Sequence, residues 1–261
     1  MNRNSYDTDV TVWSPQGRLF QVEYAMEAVQ QGSACVGAVS RDVAVLVALK
    51  RNSNELSSYQ KKIFKIDDNM GIVISGLTAD ARTLTKYMRT ECLNHKFVYG
   101  SHMNTGRLVR DVADRHQRCT QSYVRRPYGV GLLVGGYDKA TGAHLYRTCP
   151  SGNFYEYSAY AIGARSQSAR TYLEKKYETF PDASVDELIS HALKALSGCT
   201  ESDKELTTRN TTIAIVGKDL PFKIIDEEDV APYLAEIAGE AEGKAAPAEG
   251  AGDGDVDMDD E

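Results

Sequence analysis

Residues 34–49 constrain this chain more than any other stretch. Two Val-rich apolar runs, Ala34–Val39 and Val43–Leu49, are separated only by Ser40-Arg41-Asp42, which reads as a hairpin. The second run is apolar at every position, so neither face of its strand can meet water. Such a strand belongs inside a layered sandwich, in a sheet covered on both sides.

The flanking sequence supplies the covers. Before the hairpin, Ser14-Pro15 and Gly17 turn the chain, then Leu19, Val22, Met26 and Val29 recur at helical spacing until Gly32 supplies a stop. After it, a strand over Gly71–Ser75 ends at Gly76. Thr78 then caps a helix whose apolar face is Leu77, Ala81, Leu84, Met88 and Cys92. A helix over 105–121 turns Leu108, Val112 and Cys119 inward, and strands follow at Val130–Tyr137 and His144–Thr148 around a turn at 138–142. A second helix pair covers 165–179 and 184–197; Ser184 and Glu187 open the latter as a capping box and Gly198 ends it. Strands at Thr212–Val216 and Phe222–Ile225 and a short helix from Val230 to Ala238 complete the order. Hairpins on both sides of each helix pair favour an α+β fold, a four-layer αββα sandwich of two antiparallel sheets, over parallel βαβ units.

Several classes of chemistry find no support. Residues 239–261 hold nine acids and one lysine, a net of −8, so of the chain's −7 the rest carries only +1 and offers no electrostatic footprint for nucleic acid. That tail, rich in Gly, Ala and Asp, cannot bury enough apolar area to order itself and is expected to be disordered. No apolar run is long enough for a membrane helix, and the first residues lack a secretory signal. Five cysteines without a C-x-x-C pair read as reduced core thiols, and five histidines without ligand spacing point to no metal. Gly129-Val130-Gly131 with Gly135-Gly136 sits inside a continuing apolar run, so it is a strand and not a phosphate loop; no cofactor is implied.

The segment Tyr6-Asp7-x-x-x-Thr11-x-x-Ser14-Pro15-x-Gly17-Arg18-Leu19-Phe20-Gln21-Val22-Glu23-Tyr24-Ala25 closely resembles the signature of proteasome alpha subunits. Further matches lie at Lys61-Lys62-Ile63, Gly76–Arg82, Arg126–Val130 and Gly163–Ser166, so the resemblance covers about residues 5–235. Two stretches, Thr11–Gly17 and Gly163–Glu174, carry it further, to one eukaryotic subtype.

The resemblance implies the fold of N-terminal nucleophile hydrolases, in a subunit that does not cut. Catalytic relatives use the hydroxyl of an N-terminal Thr with its free amine in proton transfer. Here the matching strand begins near Ser33, behind 32 residues, so its nitrogen is an amide without base character. Leu49 stands where the catalytic acid would be, and Lys62 keeps the place of the catalytic-type lysine, expected as a solvated or salt-bridged cation. The alternative, a self-processing hydrolase of the same fold, predicts a mature chain beginning at Ser33. The resemblance divides the chain into a gate segment at 1–13, a body at 14–238 and the tail at 239–261. It further implies a ring of seven alpha subunits capping the proteasome beta subunits, in the cytoplasm and nucleus, and aggregation of this chain when expressed alone. Tyr6, Asp7, Pro15 and Tyr24 match residues that set the gate, with Thr8 where Arg is common. Gly32, Lys62 and Leu77 match a pocket for the C-terminal tails of regulatory particles. Met26 stands where some relatives have an arginine paired with the acid at Glu23, so that inner ion pair is expected to be missing or supplied by another chain.

Overall fold

The computed structural model describes residues 6–52, 56–200 and 205–245. Two five-stranded sheets form its centre. One has the order β10-β9-β2-β1-β8, built from β1 (Cys35–Val39), β2 (Val43–Leu49), β8 (Ala159–Ile162), β9 (Thr211–Gly217) and β10 (Leu220–Asp226). The other has the order β3-β4-β5-β6-β7, from β3 (Ile63–Asp67), β4 (Met70–Gly76), β5 (Val130–Asp138), β6 (Gly142–Thr148) and β7 (Phe154–Glu156). Every recorded strand pairing is antiparallel.

The sheets pack through Leu46, Val73, Leu133, Leu145, Ala214 and Phe222. Alternate residues of β2 point the other way: Val43, Val45 and Val47 join Leu188, Ala192 and Leu196 of α5 (Val185–Ser197) beside α4 (Ser166–Glu174). On the opposite outer face, α2 (Thr78–Tyr99) and α3 (Thr105–Thr120) bury Leu84, Met88, Leu108 and Val112 against Ile72 and Leu132. Period-2 strands and period-3.6 helices thus meet in four layers, the expected αββα sandwich, and β2 is covered on both faces as its composition demands.

The differences from expectation have local causes. β3, β7 and β8 are strands that the pattern did not reveal; β3 reads buried, half-buried, exposed, buried, half-buried, and the other two span only three and four residues. Thr78 does not cap α2; its hydroxyl accepts a bond from Gln60 Nε2 at 2.6 Å and Leu77 occupies the N-cap position. Leu77 is 48% exposed, outside the core. In α1 (Phe20–Gln31) the inward residues are Phe20, Val22, Ala25 and Val29, whereas Met26 is exposed. The segment expected as one helix over 165–179 breaks after Glu174 into a 3-10 turn, Tyr177–Asp182, with Pro181 inside it. The last helix, α6 (Ala231–Ala245), continues past Ala238 into the first residues of the tail expected to be disordered; Glu240, Ala241, Glu242, Lys244 and Ala245 favour helix and outnumber Gly239 and Gly243, which do not. Residues 246–261 of the acidic tail, and residues 1–5 of the expected gate segment, lie outside the described residues. All five cysteines are buried free thiols, and among the described residues no helix is long and apolar enough to cross a membrane.

Candidate functional site

The chain enters the sandwich at Gly32-Ser33, and three elements converge on that point. Gly32 ends α1, its N–H bonded to the Val29 carbonyl. Its φ of −64° suits any residue. Space is what demands glycine here: a Cβ would fall 2.3 Å from Ser75 Oγ and 2.4 Å from the Gly76 nitrogen. The Gly32 carbonyl accepts from Ala164 N at 2.7 Å, and Ser75 Oγ donates to the Val29 carbonyl at 2.8 Å. The stretch ahead of Ser33 is therefore packed into the β4 and β5 layer as an integral element.

Ser33 faces a cavity of about 470 Å³ lined also by Leu49, Arg51, Tyr59 and Arg165. Lys62, entering β3, donates from Nζ to Ser33 Oγ at 2.7 Å and to the Ser33 carbonyl at 3.1 Å. The expectation of a solvated or salt-bridged Lys62 is corrected: the residue is 4% exposed, and among the described residues its side chain contacts no acid. Burial holds its ammonium below the usual lysine range, and the same burial pushes the neighbouring Cys35 thiol up. Sequence reading missed Cys35 as a neighbour of Lys62. Their separation in sequence leaves no pattern, and only the pairing of β1 with the rest of the core brings them together.

A nucleophile, a lysine and a cleft are thus present, but not the rest of the chemistry. The Ser33 nitrogen is bonded to Gly32 in a peptide and cannot accept a proton, and Leu49 contributes an apolar side chain where an acid would be needed.

Gly32, Lys62 and Leu77 are brought to one corner, since Gly32 rests on Gly76 and Leu77 follows directly, its N–H bonded to the Gly129 carbonyl at 2.8 Å. Leu77 reaches the surface, whereas Lys62 is buried.

The four residues expected at a gate are less tightly gathered. Tyr24 Oη donates to Asp7 Oδ2 at 3.1 Å, and Gln21 Nε2 donates to the Asp7 carbonyl. Asp9 Oδ1 accepts from both the N–H and hydroxyl of Thr11, each at 2.8 Å, and fixes the turn that follows. Pro15 is exposed within a turn closed by the bond from Gly17 N to the Ser14 carbonyl at 2.9 Å, with Gly17 at φ +74°. Tyr6 is half-buried and Thr8 exposed. Glu23 has its cation after all, in the same chain: Arg18 Nε donates to it at 2.8 Å and the guanidinium forms an ion pair with it. Two matched motifs are also joined directly. Arg126 holds Asp80 with two bonds at 2.6 and 2.9 Å, and Gly129 N donates to the same carboxylate at 2.9 Å.

Comparison with known proteins agrees with this geometry. The proteasome subunit family matches residues 29–216, and the N-terminal signature of its A-type subunits matches residues 6–28. The chain is 59% identical to the alpha type-1 proteasome subunit of Dictyostelium discoideum, over 90% of this chain and 94% of that protein. It is 53% identical to the alpha type-1 proteasome subunit of Drosophila melanogaster, over 90% and 85%. A probable alpha type-6 proteasome subunit of Schizosaccharomyces pombe is 53% identical over 91% and 87%.

Proposed function

The chain belongs to the proteasome family as an alpha-type, non-catalytic subunit that assembles with other proteasome subunits, and from that premise we propose that it takes one place in a seven-membered outer ring of the 20S core, gates substrate entry and docks regulatory particles. In this reading it serves ubiquitin-dependent and ubiquitin-independent protein degradation in the cytoplasm and nucleus.

The observation that carries the gating role is the bond from Tyr24 Oη to Asp7 Oδ2. It ties residues 6–13, which form no helix or strand, to an exposed position of α1. A hydrogen bond at such a surface contributes about 1 kcal/mol, so contacts from a neighbouring chain or an activator can reposition the segment. Thr8 in place of the more common Arg weakens this chain's share of the closed state. Docking would use the Gly32, Lys62 and Leu77 corner: Leu77 meets the apolar residue of a tail, Gly32 permits close backbone approach, and Lys62 supplies positive charge from below.

The test of gating replaces Tyr6 and Asp7 with Ala in assembled particles. Peptide hydrolysis with and without activator should change while native mass spectrometry finds the same composition; unchanged rates would remove the role. For docking, Lys62→Ala should weaken an activator-tail peptide roughly threefold to hundredfold, the worth of a charge-assisted bond. Equal affinity together with equal stimulation of hydrolysis would end that proposal.

A further inference from the structure

On the side of the sandwich where β7 and β8 each end their sheets, two arginines converge on one phenol. Arg147 of β6 donates from Nη1 to Tyr160 Oη at 3.0 Å, and Arg170 of α4 donates from Nη1 to the same oxygen at 3.2 Å. Both guanidiniums lie near the Tyr160 ring, 4.9 and 5.3 Å from its centroid. Arg170 is held in place by two further bonds, Nη2 to the buried Ser166 Oγ at 2.8 Å and Nε to the Ser166 carbonyl at 3.4 Å. Among the described residues neither arginine has an ion-pair partner. Glu174 lies on the rim of the adjoining cavity of about 270 Å³ yet makes no ion pair with either.

Two half-buried like charges fixed on a shared acceptor repel each other, and each retains unused N–H donors. The arrangement gains most from an anion that bridges them, and a carboxylate matches the planar fork of a guanidinium. The surroundings indicate a protein as its carrier. Tyr155 and Tyr177 around the site are 52% and 49% exposed, Tyr157 packs on Tyr160 at 4.3 Å, and among the described residues β8 is bonded on one side only, to β1. Exposed tyrosine with arginine beside an open strand edge is the composition of a protein interface rather than of a small-anion site.

We propose that Arg147 and Arg170 receive an Asp or Glu side chain of the adjacent subunit, making this face a charge-keyed contact between neighbours in the ring. The proposal rests on the ring assembly described above.

The experiment co-expresses this chain, tagged, with the full set of alpha-type and beta-type subunits. The double variant Arg147→Gln with Arg170→Gln should enter complete particles at least tenfold less well than the unsubstituted chain. Independently, particles carrying Arg170→Lys, treated with a carbodiimide, should yield a zero-length cross-link from position 170 to an acidic residue of another subunit. Cross-links only to Glu174, or none, overturn the proposal, as does equal incorporation of the double variant. A particle with no inter-subunit cross-link in which added inorganic phosphate protects α4 from hydrogen exchange identifies a small-anion site and also overturns it. Failure of the unsubstituted chain to enter particles would instead overturn the ring assembly, so the two ideas fail separately.

Discussion

Lys62 Nζ stands 2.7 Å from Ser33 Oγ, with the ammonium buried and, among the described residues, no carboxylate beside it. A lysine kept in the interior needs acceptors, and the two oxygens of Ser33 supply them. The hydroxyl is thereby structural. Ser33→Ala should cost about 1–3 kcal/mol, the worth of a bond to a charged group. It should lower hydrogen-exchange protection of β1 and β3 amides in the assembled particle while leaving peptide hydrolysis unchanged. A loss of hydrolysis in particles of intact composition would show that Ser33 has a chemical role.

His116 on α3 is fully buried, packs edge-on against Tyr128 at 5.3 Å, and among the described residues finds no hydrogen-bond partner for either ring nitrogen. Burial lowers its pKa to about 4, with nearby Asp80 opposing. Because the folded value lies below the unfolded one, its stabilising contribution is complete above about pH 6.5 and is lost as pH falls toward 4. At pH 5 that loss is about 2 kcal/mol, so protection of α3 amides, corrected for intrinsic exchange, should drop roughly thirtyfold relative to pH 7.5. His116→Phe should flatten this dependence. An unaltered slope in that variant would assign the acid sensitivity elsewhere.

How much of this was legible follows from the range of the interactions. The fully apolar β2 announced its two covers, and the Ser184 and Glu187 capping box is formed as its spacing required. The bond between Tyr24 and Asp7 was legible because a signature names both residues, although they lie 17 residues apart. Lys62 was legible as a position and not as an environment. Its burial depends on Ser33, 29 residues away, and on a chain path that no local pattern encodes. The short β7 and β8 carried too little periodicity to be seen, and with β8 went Tyr160, on which the two arginines meet.

Asp80 and Arg126 join the start of α2 to the turn that leads into β5. Burial raises the Asp80 pKa, but the Arg126 fork and the Gly129 N–H outweigh it and hold the carboxyl below its usual value. A lowered folded pKa means stability that is present above about pH 4 and lost as pH falls below it. Arg126 is largely exposed, so screening limits the pair itself to about 1 kcal/mol. Asp80→Ala should nevertheless cost more than Arg126→Ala, because it strands the buried Gly129 N–H as well. Hydrogen exchange at residues 126–131 in the assembled particle ranks the two variants; a larger effect of Arg126→Ala contradicts the assignment.

Gly76 sits at φ +114° where β4 hands over to α2, a conformation that L side chains rarely adopt. Space reinforces the conformational demand: a Cβ there would fall 2.2 Å from the Gly129 carbonyl oxygen, which already accepts from Leu77 N at 2.8 Å. The clash is with backbone, so no side-chain rotation relieves it. Gly76→Ala must displace the Gly129 turn, break the Leu77 bond and shift Leu77, which follows directly. It should cost on the order of 3 kcal/mol or more. Tail-peptide binding by the assembled particle should weaken with it, since Leu77 moves relative to Gly32. Gly100 supplies the control, because it also has positive φ, at +69°, but a Cβ there meets nothing within 4 Å. Gly100→Ala should cost only the conformational strain of about 1 kcal/mol and leave tail binding intact. Equal effects of the two substitutions on binding would show that the path of the chain at Gly76 does not set the position of Leu77.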